Sequence, residues 1–200
     1  MDAATLTGET RDHLLPDDLD RTHDLAVRGA ADLEHENHLV DSAHRPTSDL
    51  AAHASAGITD RTRVLFGPPG RAYVYLIYGI HECLNFVAEP EGLAGCVLIR
   101  ALEPLCGVEA MRRRRPAARR RSDLCSGPGK LTAAMGITRA LNGADVTSPG
   151  DFVVRGLALE PPVEIATSTR IGITKCADWP LRFVVSGSPY VSRQGADAPA

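Results

Sequence analysis

The chain has 200 residues, of which 44% are hydrophobic and 24% charged, with a formal net charge of −3. That length suits one domain with a substantial core, and the apolar content excludes a disordered, core-less chain. No apolar run approaches the roughly 18 residues of a membrane-spanning helix, and the start MDAATLTGETRDHLLPDD lacks a basic region followed by an apolar one, so the expected location is the cytoplasm.

Residues 1–40 hold ten Asp or Glu against three Arg and give no clean periodicity, although 25–33 can form a short helix. Residues 55–62 read as a polar loop and Gly67-Pro68-Pro69-Gly70 as a rigid turn. A three-stranded meander then occupies about 72–100, with Tyr78-Gly79 opening its first connection and Glu91-Gly92 in its second. Strand alternation puts Tyr73, Tyr75 and Ile77 on one face and Val74, Leu76 and Tyr78 on the other. Glu103-Pro104 is expected to open a helix running to about Arg114. The arginine-rich run MRRRRPAARRR (111–121) starts on its end and continues past Pro116 into a loop. A second short helix begins at Pro128, with Ser126 near its cap, and stops at Gly136. Strands are expected near 152–159, 164–173 and 181–186, followed by a disordered tail from Gln194. Without repeats or a linker, the prediction is an α+β fold: a single domain built on an antiparallel β-sheet, with a protruding β-hairpin and flanking helices.

The five cysteines form no C-x-x-C pair, so a disulfide framework and a metal site are not expected, and they read as small buried residues. Seven arginines within 112–121 suit attraction to phosphate, Arg112 and Arg113 foremost, against the plainer reading of a solvated surface. Ser126-Gly127-Pro128-Gly129-Lys130 puts free backbone N–H groups and one lysine at a helix start, an arrangement that favours anions. It lacks the G-x-x-x-x-G-K-[ST] spacing of a nucleoside triphosphate site. On alternation alone the tyrosines are ordinary half-buried strand residues. They also form the equipment that base extrusion needs, an aromatic platform for the base and a wedge for the hole it leaves.

Several ordered blocks decide between these readings. Tyr73-Val74-Tyr75-Leu76-Ile77-Tyr78-Gly79 with Cys83-Leu84-Asn85 resembles the central Y-V-Y-x-x-Y-G and C-x-N hairpin of the alkyladenine (3-methyladenine) DNA glycosylase family. Ala51-Ala52-His53, the stretch 97–105 (VLIRALEPL), the stretch 123–131 (DLCSGPGKL), Pro180-Leu181-Arg182-Phe183 and 187–192 (GSPYVS) agree in order and spacing. The resemblance spans about 43–192. It implies a glycosylase domain at 43–193, preceded by an atypical segment 1–42 and followed by the tail 194–200. It further implies excision of alkylated or deaminated purines from duplex DNA by base flipping, as a monomer and without a cofactor. Carried over residue by residue, Tyr75 is the platform under the extruded base and Tyr78 the minor-groove wedge. Asn85 opposes the 2-amino group of guanine, and His53 contacts sugar-phosphate and base edge, with the Ala51 backbone on the purine. Arg100 helps hold the attacking water and phosphate. Beside such a hairpin the turn with Gly127, Gly129 and Lys130 reads as a clamp on DNA backbone.

One departure stands before His53. The family presents V-E-x-E-A-Y there, its second glutamate being the general base and its tyrosine covering the base. Counting back from His53 without a gap lays Ser42-Ala43-His44 over E-A-Y, so Ser42 takes the glutamate's place and His44 the tyrosine's. A histidine can still stack. A serine cannot by itself take a proton from water near neutral pH. Asp41 is adjacent, but strand alternation points it to the opposite face unless the backbone bulges; Glu36 and Glu34 lie farther off. Three accounts stand open: a frameshifted segment 1–42, a divergent enzyme with another carboxylate or a labile lesion, and a damage-binding homologue without turnover. An unrelated α+β RNA- or nucleotide-binding domain is the remaining alternative.

Overall fold

The computed structural model describes the backbone of 27–38 and the backbone and side chains of 49–154 and 164–191. Its centre is a six-stranded antiparallel sheet in the order β2-β3-β4-β1-β6-β5. The strands are β1 (Val27–His38), β2 (Ala72–Ile77), β3 (His81–Val87), β4 (Ala94–Pro104), β5 (Ile165–Ser168) and β6 (Arg182–Val185). Two helices, α1 (Val108–Arg114) and α2 (Pro128–Met135), and four short 3-10 turns complete the α+β domain. The expected meander is β2-β3-β4.

Alternation divides the sheet into two working faces. Val74, Leu84, Ile99 and Leu102 pack against Met111 of α1, Leu131 and Ala134 of α2, and Leu124 and Cys125 between them. This face is the main core. The other face carries Tyr73, Tyr75, Cys83, Cys96 and Leu98, covered by Ala54 and Leu65 from the 3-10 turns at His53–Ala56 and Arg63–Phe66. The outer edge of β2 is closed by loop 139–146: Val74 N donates to Asn142 Oδ1 (3.0 Å) and Ala72 N to Ala144 O (2.9 Å). An edge so covered does not invite a further strand.

Several expectations fail for identifiable reasons. The short helix at 25–33 is absent, because Val27 onward is β1, hydrogen-bonded between β4 and β6. Its Ala, Leu and Glu favour helix locally, but pairing on both sides overrides that preference. Glu103-Pro104 ends β4 instead of opening a helix; α1 starts only after Gly107, whose φ of 69° turns the chain. α2 does start at Pro128 as expected, with Ser126 next to its N-cap, Gly127. Phe152–Val154 forms no strand, and the rest of the 152–159 expectation lies outside the described residues, as does the tail. The strand expected at 164–173 stops at Ser168, and two residues later Arg170 is drawn into a buried ion pair with Asp49.

Candidate active site

Tyr73 and Tyr75 lie side by side on β2, 1% and 7% exposed, with ring centroids 5.3 Å apart. His53 joins them. Its ring meets Tyr75 edge-on at 4.3 Å, and its Nδ1 is 3.2 Å from the Tyr73 hydroxyl, a hydrogen bond whose donor depends on the imidazole tautomer. Beneath them Asn85 is fully buried; its Nδ2 donates to Tyr73 O (3.1 Å) across the strand pair, and Cys96 Sγ lies 3.8 Å from its Oδ1. Asn85 thus spends its amide on holding the tyrosine strand.

The loop carrying His53 is anchored from below. Asp49 accepts Ala51 N (3.0 Å) and receives Arg170 Nη2 (2.9 Å) in a bidentate pair buried on both sides. Removing one partner of such a pair strands a charge in the interior, at a cost of about 3–5 kcal/mol. The Ala51–His53 segment is therefore tied to the chain beyond β5. No feature of the sequence signalled this partnership, which joins residues 121 positions apart.

Burial, and secondly the Arg61 guanidinium, lower the His53 pKa from 6.5 to about 4, so the ring is neutral at physiological pH. A histidine depressed on folding takes its proton first in the unfolded chain. The stability tied to its neutral form is complete above pH 6.5, declines as pH falls below that, and is lost once pH has passed below 4. His53→Gln is expected to flatten the loss of unfolding free energy between pH 6.5 and 4, measured by urea denaturation. An unchanged slope would mean that His53 titrates normally in the folded protein.

At the far end of β2 the chain turns at Tyr78-Gly79, with Ile80 N returning to Ile77 O (3.2 Å). Both central residues have positive φ, 52° and 72°, the pattern of a type I′ turn. Tyr78 is 84% exposed and Ile80 72%. Beside this tip stands the start of α2. A Cβ on Gly129 would lie 3.0 Å from the Cβ of His81, so a larger residue would need the hairpin to give by a few tenths of an ångström. Thr132 Oγ1 donates to Glu82 O (2.8 Å) and secures the contact. Lys130 is exposed there, its Nζ 3.5 Å from Ser126 Oγ.

Most of the arginine run is occupied with the fold. Arg114 donates to Ala134 O, Arg115 to Leu124 O and Arg121 to Pro104 O, while Arg120 pairs with Asp123 and Arg112 with Glu109. The first three satisfy carbonyls at element ends. Arg113 and Arg119 are the exposed members with neither an ion pair nor a side-chain hydrogen bond among the described residues.

Asp41, Ser42 and His44 lie outside the described residues. The register of β1 supplies other carboxylates. Residues directly opposite in an antiparallel pair share a face. Glu34 stands opposite Leu98, Leu98 opposite Asn85 and Asn85 opposite Tyr73, so one row crosses the sheet from β1 to the tyrosines. Glu36, opposite Cys96, is on the same face one row farther along. Arg100 is the unopposed residue of a bulge in β4, between Ile99 (paired with Leu33) and Ala101 (paired with Asp32). Bulges of this kind re-aim a side chain beside active sites.

A rigid aromatic shelf, a tyrosine held out on a hairpin and an anion-favouring helix start next to it suit a flat ring carried on a phosphate chain. The class is that of proteins that handle nucleic-acid bases. The chain belongs to the methylpurine-DNA glycosylase family, whose model matches residues 33–189. It is 55% identical over 145 residues to a protein of Rhodopseudomonas palustris strain HaA2, covering 72% of this chain and 70% of that one. A protein of Methanoculleus marisnigri is 52% identical over 149 residues (73% and 77% covered), and one of Nitrosospira multiformis 45% over 155 residues (78% of each). All three carry the name "Putative 3-methyladenine DNA glycosylase". The chain is accordingly an N-glycosyl hydrolase of DNA, active in repair. No helix among the described residues is long and apolar enough to cross a membrane.

Proposed function

We propose that this glycosylase excises 3-methyladenine-class and deaminated purines from duplex DNA, working as a monomer in the cytoplasm. The observation that carries the reading is the Tyr73–Tyr75–His53 cluster on the same hairpin as the exposed Tyr78. In this reading Tyr75 and His53 receive the extruded base, with the Ala51 backbone at its edge. Asn85 forms a fixed floor that resists the 2-amino group of guanine. Tyr78 fills the vacated stack, and Lys130 with the Gly127 and Gly129 backbone grips a phosphate. Arg113 serves the phosphates better than Arg112, which is already paired with Glu109.

A carboxylate takes a proton from water as the water oxygen attacks C1′; the N-glycosidic electron pair leaves with the purine. For a ring-alkylated purine, already a cation, that departure yields a neutral base and needs little help. Hypoxanthine is neutral and needs the activated water. We assign the carboxylate to Glu34, on the strength of its row with Asn85 and Tyr73, and the water-holding role to Arg100 at the bulge.

The direct test is release of free 3-methyladenine and hypoxanthine from damaged duplexes by the purified full chain, followed by chromatography. Release of either supports the enzyme. Tight, lesion-selective binding with no base released would instead support a damage-binding homologue.

A further inference from the structure

The Arg61 guanidinium carbon sits over the Tyr75 ring, 5.1 Å from its centroid. Arg61 is exposed and has no carboxylate partner among the described residues; the neighbouring Asp60 pairs with Arg63 instead (3.0 Å). The backbone that presents it is fixed. Thr59 N donates to Thr62 Oγ1 (2.8 Å), Thr62 Oγ1 donates to Gly57 O (2.8 Å), and Arg63 N closes on Thr59 O (2.9 Å). A cation is thus held over the face of Tyr75 by a rigid turn and by the ring's own quadrupole. Its field reaches into the site, since it helps keep His53 unprotonated.

We propose that Arg61 is a charge selector: it disfavours purines that enter as cations and spares neutral ones. The inference rests on the reading of Tyr75 as the base platform. A purine alkylated on a ring nitrogen carries a positive charge in DNA, whereas hypoxanthine does not. Stacking a cationic purine on Tyr75 brings two like charges within several ångströms in a partly desolvated site, where their repulsion is far from negligible. At 5.1 Å from the Tyr75 centroid the guanidinium lies inside the screening length of physiological salt, about 8 Å.

The test compares single-turnover excision of 3-methyladenine from methylated duplex with excision of hypoxanthine, in the wild type, Arg61→Gln and Arg61→Lys. Arg61→Gln is expected to raise the cationic-to-neutral rate ratio about tenfold, and Arg61→Lys to leave it unchanged. Raising the salt should move the wild-type ratio toward that of Arg61→Gln. Loss of a phosphate contact would lower all lesions together and cancel in the ratio. If Arg61→Gln leaves the ratio within twofold while Tyr75→Ala still depresses every lesion, the selector role is overturned and the platform stands. If Tyr75→Ala depresses none, the platform reading falls and the selector with it.

Discussion

Tyr78→Asn is expected to make the protein more stable and worse at holding a damaged duplex. Tyr78 has a φ of 52°, a conformation that costs a non-glycine residue about 1–2 kcal/mol and that asparagine adopts more readily. Nothing in the fold repays this cost, because the ring is 84% exposed. Strain kept at an exposed aromatic points to use of the ring by a partner. The substitution should raise the unfolding midpoint by roughly 2–4 °C for a chain of this size. It should also weaken binding to a lesion within intact duplex by about 10- to 100-fold, since the wedge compensates unstacking of a few kcal/mol per step. A lesion opposite a gap, already unstacked, should lose much less. Equal losses on the two DNAs, or no gain in midpoint, would remove the wedge assignment or the strain argument respectively.

The parts legible in the sequence were those set by short-range chemistry. Alternating apolar residues and the Pro/Gly turns located β2, β3 and β4, and Pro128 with Gly136 bracketed α2, because each signal acts within one element. What the sequence hid depends on distant partners. β1 is a strand only because β4 and β6 flank it, and the Asp49–Arg170 pair spans most of the domain. The arginine run reads from sequence as a phosphate-binding stripe. Folded, five of its seven members hold carbonyls or carboxylates, and only geometry could separate them from Arg113 and Arg119. Arg61 is one arginine among twenty, with no motif to mark it; its place over Tyr75 alone singles it out.

The identity of the general base follows the same division between counting and pairing. Counting without a gap gives Ser42, which lacks the chemistry. Allowing a gap of six residues, Leu33-Glu34-His35-Glu36 reproduces the V-E-x-E spacing at the residue where the family match begins, and gives Glu36. Pairing gives Glu34, in the row of Asn85 and Tyr73, with Glu36 one row, about 7 Å, farther from the Arg100 bulge. A base must reach the sugar of a nucleotide seated on the tyrosines, so position outweighs spacing. Glu34→Gln is therefore expected to lower the single-turnover rate on hypoxanthine by about 10²–10⁴-fold, the usual worth of general-base catalysis, and the rate on 3-methyladenine by much less. Glu36→Gln should cost less than tenfold on both lesions, and Ser42→Glu should gain nothing on either. Because glutamine preserves size, binding of each variant to a damaged duplex should stay near that of the wild type, which separates lost chemistry from lost folding. A large defect confined to Glu36→Gln would move the base one row along β1 and shift the strand's working register by two residues. A gain in Ser42→Glu would instead return the catalytic position to the gap-free count and leave β1 as scaffold.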